Sequence, residues 1–221
     1  STWDVFSQVP GNILDNANGN IACDSYHQLD ADLYMLRALG VNSYRFSLSW
    51  SRIFPTGQGT PNDKGVEYYN RLIDGLLENN ISPMVTLYHF DLPQDLQDAG
   101  GWENESVLDA FHSYADFCFK TFGDRVKFWM TFNQPHAIVA AGYGIGLFPP
   151  EVKDDPGSAP YRVAHNLLKV HARVYHTYDD KYRGGQGGVI SLSLNTEWVE
   201  PKDRTDPRDI EAADRYLQFT L

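Results

Sequence analysis

Short apolar runs alternate along this chain with longer stretches whose apolar residues recur every three or four positions. Four runs, Ser43–Ser49, Ser82–His89, Val126–Phe132 and Gly188–Leu194, are rich in β-branched and aromatic residues and too short for helices. None alternates strictly between apolar and polar, which predicts strands covered on both faces. The stretches around them carry a helical period. Asp24–Leu39 places Leu29, Leu33, Leu36 and Leu39 on one stripe and stops at Gly40. Gly65–Asn79 aligns Val66, Tyr69, Leu72, Ile73 and Leu76, and Asn104–Phe122 aligns Val107, Phe111, Tyr114 and Cys118. Tyr161–Tyr182 aligns Leu167, Val170, Val174 and Tyr178. A last helix opens at Asp206-Pro207, a capping Asp before a Pro suited to the first turn.

Strand and helix therefore alternate as α-β-α-β-α-β-α-β-α, which predicts a parallel sheet with helices outside it. Arg45, His89 and Gln134 are 44 and 45 residues apart, the spacing of similar β/α units without a residue-level repeat. No glycine-rich phosphate turn follows a strand, so an open doubly wound sheet is disfavoured. No linker divides the chain, although Pro149–Pro160 reads as a long loop. A β/α barrel needs eight units, and four strands cannot close one. The expected fold is α/β, a partial TIM (β/α)8 barrel, with about half of the barrel in a single incomplete domain over residues 1–221.

Composition narrows the possible partners. At 42% hydrophobic residues the chain is globular, and its net charge of −11 argues against nucleic acid or an anionic membrane surface. No apolar run approaches the ~18 residues of a membrane span. The opening Ser1-Thr2-Trp3-Asp4 has no signal-peptide character, so the chain is expected to begin mature or in mid-protein. Cys23 and Cys118 are expected to be free, buried thiols rather than a bridge. Asn80-Ile81-Ser82 and Asn104-Glu105-Ser106 fit the glycosylation acceptor pattern, which favours a secreted or extracellular setting slightly. Neither H-E-x-x-H nor G-x-S-x-G occurs, so no metal, no cofactor and no Ser/His/Asp chemistry is expected.

The most informative chemistry lies in Trp129-Met130-Thr131-Phe132-Asn133-Gln134-Pro135, a strand that ends in two amides before a proline. Polar side chains at the carboxyl end of a strand are where a β/α barrel keeps its active site. This stretch closely resembles the Thr-Phe-Asn-Glu-Pro signature of family 1 retaining β-glycosidases, with Gln134 where that family has its general acid/base Glu. The resemblance runs through nearly the whole chain. Cys23-Asp24-Ser25-Tyr26-His27 is similar to the opening of the family's first helix, and Tyr44 to Ile53 to its second strand. Leu87 to Pro93 with Gly100-Gly101-Trp102 resembles its third, and Phe122 to Lys127 the lead into its fourth. Ala164 to Leu168 and Trp198-Val199-Glu200-Pro201 resemble its fourth helix and the end of its fifth strand. Phe90, where many members have Trp, gives the likeness an animal character: lactase-like, klotho-like or cytosolic β-glucosidase-like.

On this mapping the chain covers strands two to five. The first strand, strands six to eight and the Glu-Asn-Gly nucleophile of the seventh lie outside it. The resemblance implies a β-glycoside or oligosaccharide as ligand and the remainder of the barrel as partner. It implies that Arg45 pairs with the nucleophile, that His89 and Asn133 bind sugar hydroxyls, and that Gln134 occupies the acid/base position. Trp50 and Trp102 stand equally as cleft-lining residues or as core. Glu197 and Glu200 tempt as acids, but Glu200 belongs to the family's Glu-Pro turn and reads as structural. A neutral amide at 134 can neither protonate a leaving group nor deprotonate water. In the family, plant myrosinases look like a solution with Gln at this position. Three readings stay open: an impaired β-glycosidase, a catalytically silent sugar- or protein-binding domain, or a piece that is inert alone and scaffolds a larger multi-barrel protein.

Overall fold

Four parallel strands, β1 (Ser43–Ser47), β2 (Ser82–Tyr88), β3 (Phe128–Asn133) and β4 (Val189–Ser193), form one sheet in the order β1-β2-β3-β4. The structure, a computed structural model, describes residues 1–220. Five long helices precede, separate and follow the strands: α1 (Leu29–Leu39), α2 (Asp63–Glu78), α3 (Glu105–Phe122), α4 (Ala159–Tyr178) and α5 (Pro207–Thr220). Successive strands are neighbours and each is joined to the next through a helix, the topology of consecutive units of a β/α barrel.

The helices pack on one face of the sheet. Leu72, Ile73 and Leu76 of α2, Phe111, Tyr114 and Phe119 of α3, and Val170, Val174 and Tyr178 of α4 are buried with Val85, Leu87, Trp129 and Phe132 of the central strands. Burial of so many aromatics, each removing roughly 150–250 Å² from water, is the main source of cohesion. The turn Trp50–Ile53 lies so close to α2 that a Cβ at Gly65 would sit 2.2 Å from the Arg52 carbonyl oxygen, so only glycine fits there.

Several elements depart from their expected form. The expectation of two covered faces holds for β2 and β3, but β1 and β4 are exposed at several positions, because each has a neighbour on one side only. The helix expected from Asp24 begins at Leu29. Asp24 takes a left-handed φ of 50° and accepts a hydrogen bond from His27, while Tyr26 stacks on Tyr68 with Arg52 over both rings. That aromatic clamp holds residues 25–27 in a turn. β4 stops at Ser193, so Trp198-Val199-Glu200-Pro201 lies in irregular chain beyond it. Both cysteines are free, but only Cys118 is buried. Cys23 is exposed because residues 9–27 cross the surface with little regular structure. None of the described helices is long and apolar enough to cross a membrane.

Candidate active site

The carboxyl ends of β1, β2 and β3 converge on one rim. Arg45 lies level with Met84 of β2, but its long side chain runs toward the rim. Its Nε donates to Thr86 Oγ1 at 3.0 Å and its Nη2 to Asn133 Oδ1 at 2.8 Å. No carboxylate lies within ion-pair distance of it among the described residues. Asn133 is buried, and its amide nitrogen stays available to donate.

A bulge aims Asn133. Between Met130 and Asn133, β3 advances three residues while β4 advances from Ser191 to Ser193. Trp129 meets Phe119 edge-on, Thr131 Oγ1 lies 2.8 Å from His171 Nδ1 of α4, and Phe132 stacks on Phe111, so all three face the helices. Strict alternation would place Asn133 with Trp129 and Thr131. The extra residue instead turns it onto the face of Thr86 and Arg45.

Gln134 follows in a left-handed conformation, φ 46° and ψ 66°, a costly setting for a non-glycine residue. Its N–H donates to Ser193 O at 2.7 Å, and its carbonyl accepts from Ala137 at the short Pro135–Ala137 turn. The side chain is half-buried. The end of β2 is built alike: exposed His89 is followed by Phe90 at φ 75°. Local desolvation, and then the charge of Arg45, hold the His89 imidazole below the usual histidine range. A cleft of about 370 Å³ beside β1 includes Arg45, Ser47, Tyr69 and His89 in its lining.

The structure thus brings Arg45, His89, Asn133 and Gln134 to one rim and leaves the tryptophans elsewhere. Trp50 is fully buried, stacked on Tyr114 at 5.0 Å with its Nε1 donating to Gly57 O. Trp102 is buried edge-on against Tyr88 and Phe132. Neither ring reaches the rim, because both fill the aromatic core beneath it. Glu200 accepts from Trp198 Nε1 and pairs with Arg204, and Glu197 accepts from Tyr216, all on the exposed loop after β4 and on α5. Thr86 and the Thr131–His171 pair were not expected from sequence, although a Thr inside an apolar strand run is itself a signal, since a buried hydroxyl needs a partner.

The sequence profile described as "Glycosyl hydrolase family 1" matches residues 1–221. The chain belongs to glycosyl hydrolase family 1. It is 69% identical to human lactase/phlorizin hydrolase over 223 residues, which is all of this chain and 12% of that protein. It is 48% identical to human cytosolic β-glucosidase over 221 residues, 99% of this chain and 47% of that protein. Among solved structures, a rice β-glucosidase superposes with TM-score 0.96 at 41% identity, and an aphid myrosinase with TM-score 0.95 at 42%. They cover 100% and 99% of this chain, which matches 48% and 47% of theirs. This family 1 chain therefore has the parallel α/β fold of the β-glucosidase barrels and spans about half of their length.

Proposed function

We propose that this chain supplies the second to fifth strands of a family 1 barrel that cleaves β-glucoside-type substrates with retention, weakened by Gln134. The observation that carries this reading is the Arg45–Asn133 hydrogen bond at a rim that Gln134 completes. With Oδ1 held by Arg45, Asn133 has its amide nitrogen free to donate to the sugar hydroxyl beside the anomeric carbon. With Nε and Nη2 engaged by Thr86 and Asn133, Arg45 keeps Nη1 for a nucleophilic carboxylate supplied from the rest of the barrel. That carboxylate attacks the anomeric carbon as the glycosidic C–O bond breaks, and water then cleaves the glycosyl–enzyme ester. The departing oxygen needs a proton that Gln134 lacks, so loss of acid–base help costs roughly 10²–10⁴-fold. Aglycones stable as anions escape most of that cost.

The test uses the full-length protein and two aryl β-glucosides, one with a good leaving group and one with a poor one. We expect turnover of the first, slow turnover of the second, and a gain of about 10²-fold or more on the second for Gln134→Glu. Absence of turnover with even the activated substrate rejects the reading. Gln134 itself also favours the catalytically silent alternative, in which a glycoside binds without release of its aglycone and Gln134→Glu brings no gain.

A further inference from the structure

The two glycosylation triplets sit in different local structures, and the difference decides between them. Asn80 follows the carboxyl end of α2 at φ 57°. Its N–H donates to Leu77 O and that of Ile81 to Leu76 O, the pairing that closes a helix around a left-handed residue. Asn79 turns its own carboxamide back onto Gly75 O. The Asn80 side chain is left exposed, and no hydrogen bond engages its carboxamide among the described residues. Ser82 is exposed too, while buried Ile81 between them fixes the turn. Asn104 is also exposed but is committed: its Oδ1 caps α3 by accepting from Ser106 N at 3.0 Å, and its Nδ2 donates to Ala99 O at 2.6 Å.

We infer that Asn80 carries an N-linked glycan and that Asn104 serves as a helix cap. The donor is a polyprenyl-diphosphate-linked oligosaccharide. A bond forms between Asn80 Nδ2 and the anomeric carbon, the bond from that carbon to the diphosphate oxygen breaks, Nδ2 loses a proton, and the lipid diphosphate leaves. Ser82 is the hydroxyl residue that the acceptor pattern requires two positions on. Asn80 lies before β2, at the amino ends of the strands, whereas Asn133 and Gln134 lie at the carboxyl end of β3. A glycan there projects from the end of the sheet opposite the candidate active site and leaves the rim open.

The experiment is site-specific mass spectrometry of the full-length chain secreted from eukaryotic cells. Enzymatic deglycosylation in heavy-oxygen water marks each formerly occupied Asn as Asp. We expect Asn80 to be marked in most molecules and Asn104 severalfold less. Asn80→Gln and Ser82→Ala should each remove the same single glycan shift on a gel. Secreted protein with unmodified Asn80, a Ser82→Ala variant that keeps the shift, or Asn104 occupied as fully as Asn80 overturns the assignment.

Discussion

Gln134, the amide on which the proposed reading rests, sits on a strained turn after a largely buried strand. A nearby carboxyl offers a separate test of electrostatics at the rim. Asp91, two residues beyond His89, accepts from the His89 N–H at 3.3 Å, and burial pushes its carboxyl up to about 6. The folded chain therefore holds this proton more tightly than the unfolded chain, whose Asp titrates near ~3.9. Stability from this group is fullest below about pH 4 and falls as pH rises to about 6, because the unfolded state ionises first. Asp91→Asn keeps an oxygen for the His89 N–H and removes the charge. Urea unfolding should find the variant more stable by on the order of 1–3 kcal/mol above about pH 6, with the gain gone below about pH 4. A gain that does not change with pH would place the cause elsewhere.

At the scale of elements, the β3 bulge decides which face Asn133 serves, and α4 holds the bulge in place. Thr131 is fully buried, and burial holds the His171 imidazole below its usual range, so the pair is an uncharged hydrogen bond between strand and helix. Thr131→Val leaves the half-buried His171 Nδ1 without this partner, and His171→Phe leaves the buried Thr131 hydroxyl only its long 3.4 Å contact to Ser191 O; each should cost about 1–3 kcal/mol. The double variant removes both ends of the contact and should cost less than the sum, which a double-mutant cycle in denaturant reads directly. Strictly additive losses would mean that the contact contributes nothing. The ion pairs that link α3 to α4 and to the turn after it, Lys169–Glu105, Arg173–Asp109 and Lys181–Asp116, lie largely in solvent. Such pairs are each worth only about 0–1 kcal/mol. Docking of the two helices therefore rests on Phe111, Phe119, Val174 and Tyr178, not on the charged ladder above them.

As a whole, the described residues form one four-stranded parallel sheet in which β1 and β4 are the outer strands. β1 pairs only with β2 and β4 only with β3 among the described residues. Phe128 and Val189, at the amino ends of β3 and β4, are 44% and 49% exposed. An unpaired edge at β4 and the exposed apolar pair Phe128 and Val189 at the amino end of the sheet both invite association with another chain. Residues 1–221 expressed alone should sediment as concentration-dependent oligomers, and Phe128→Lys with Val189→Lys should shift the distribution toward monomer. A monomer at every concentration tested would contradict this view of the open edges.

Much of this was legible in the sequence. Hydrophobic period and length separated the four strands from the helices around them, because a strand and a helix bury apolar residues at different spacings. The alternation of the two implied the parallel sheet. The motif Thr131-Phe132-Asn133-Gln134-Pro135 marked the carboxyl end of β3 and set an amide, which cannot titrate, where the resemblance implies an acid/base, since residue identity alone decides whether a group can titrate. The start of α1, the burial of Trp50 and Trp102, and the direction of Asn133 depended on contacts between residues far apart in the chain. An aromatic clamp between Tyr26, Arg52 and Tyr68 replaced a helical turn, and the shared core claimed both tryptophans. One extra residue in β3, held by a histidine 40 positions away, chose the face on which an amide meets Arg45. A side chain's chemistry is fixed by its identity, but the face it serves is set by its neighbours in space, and only the folded chain brings those neighbours together.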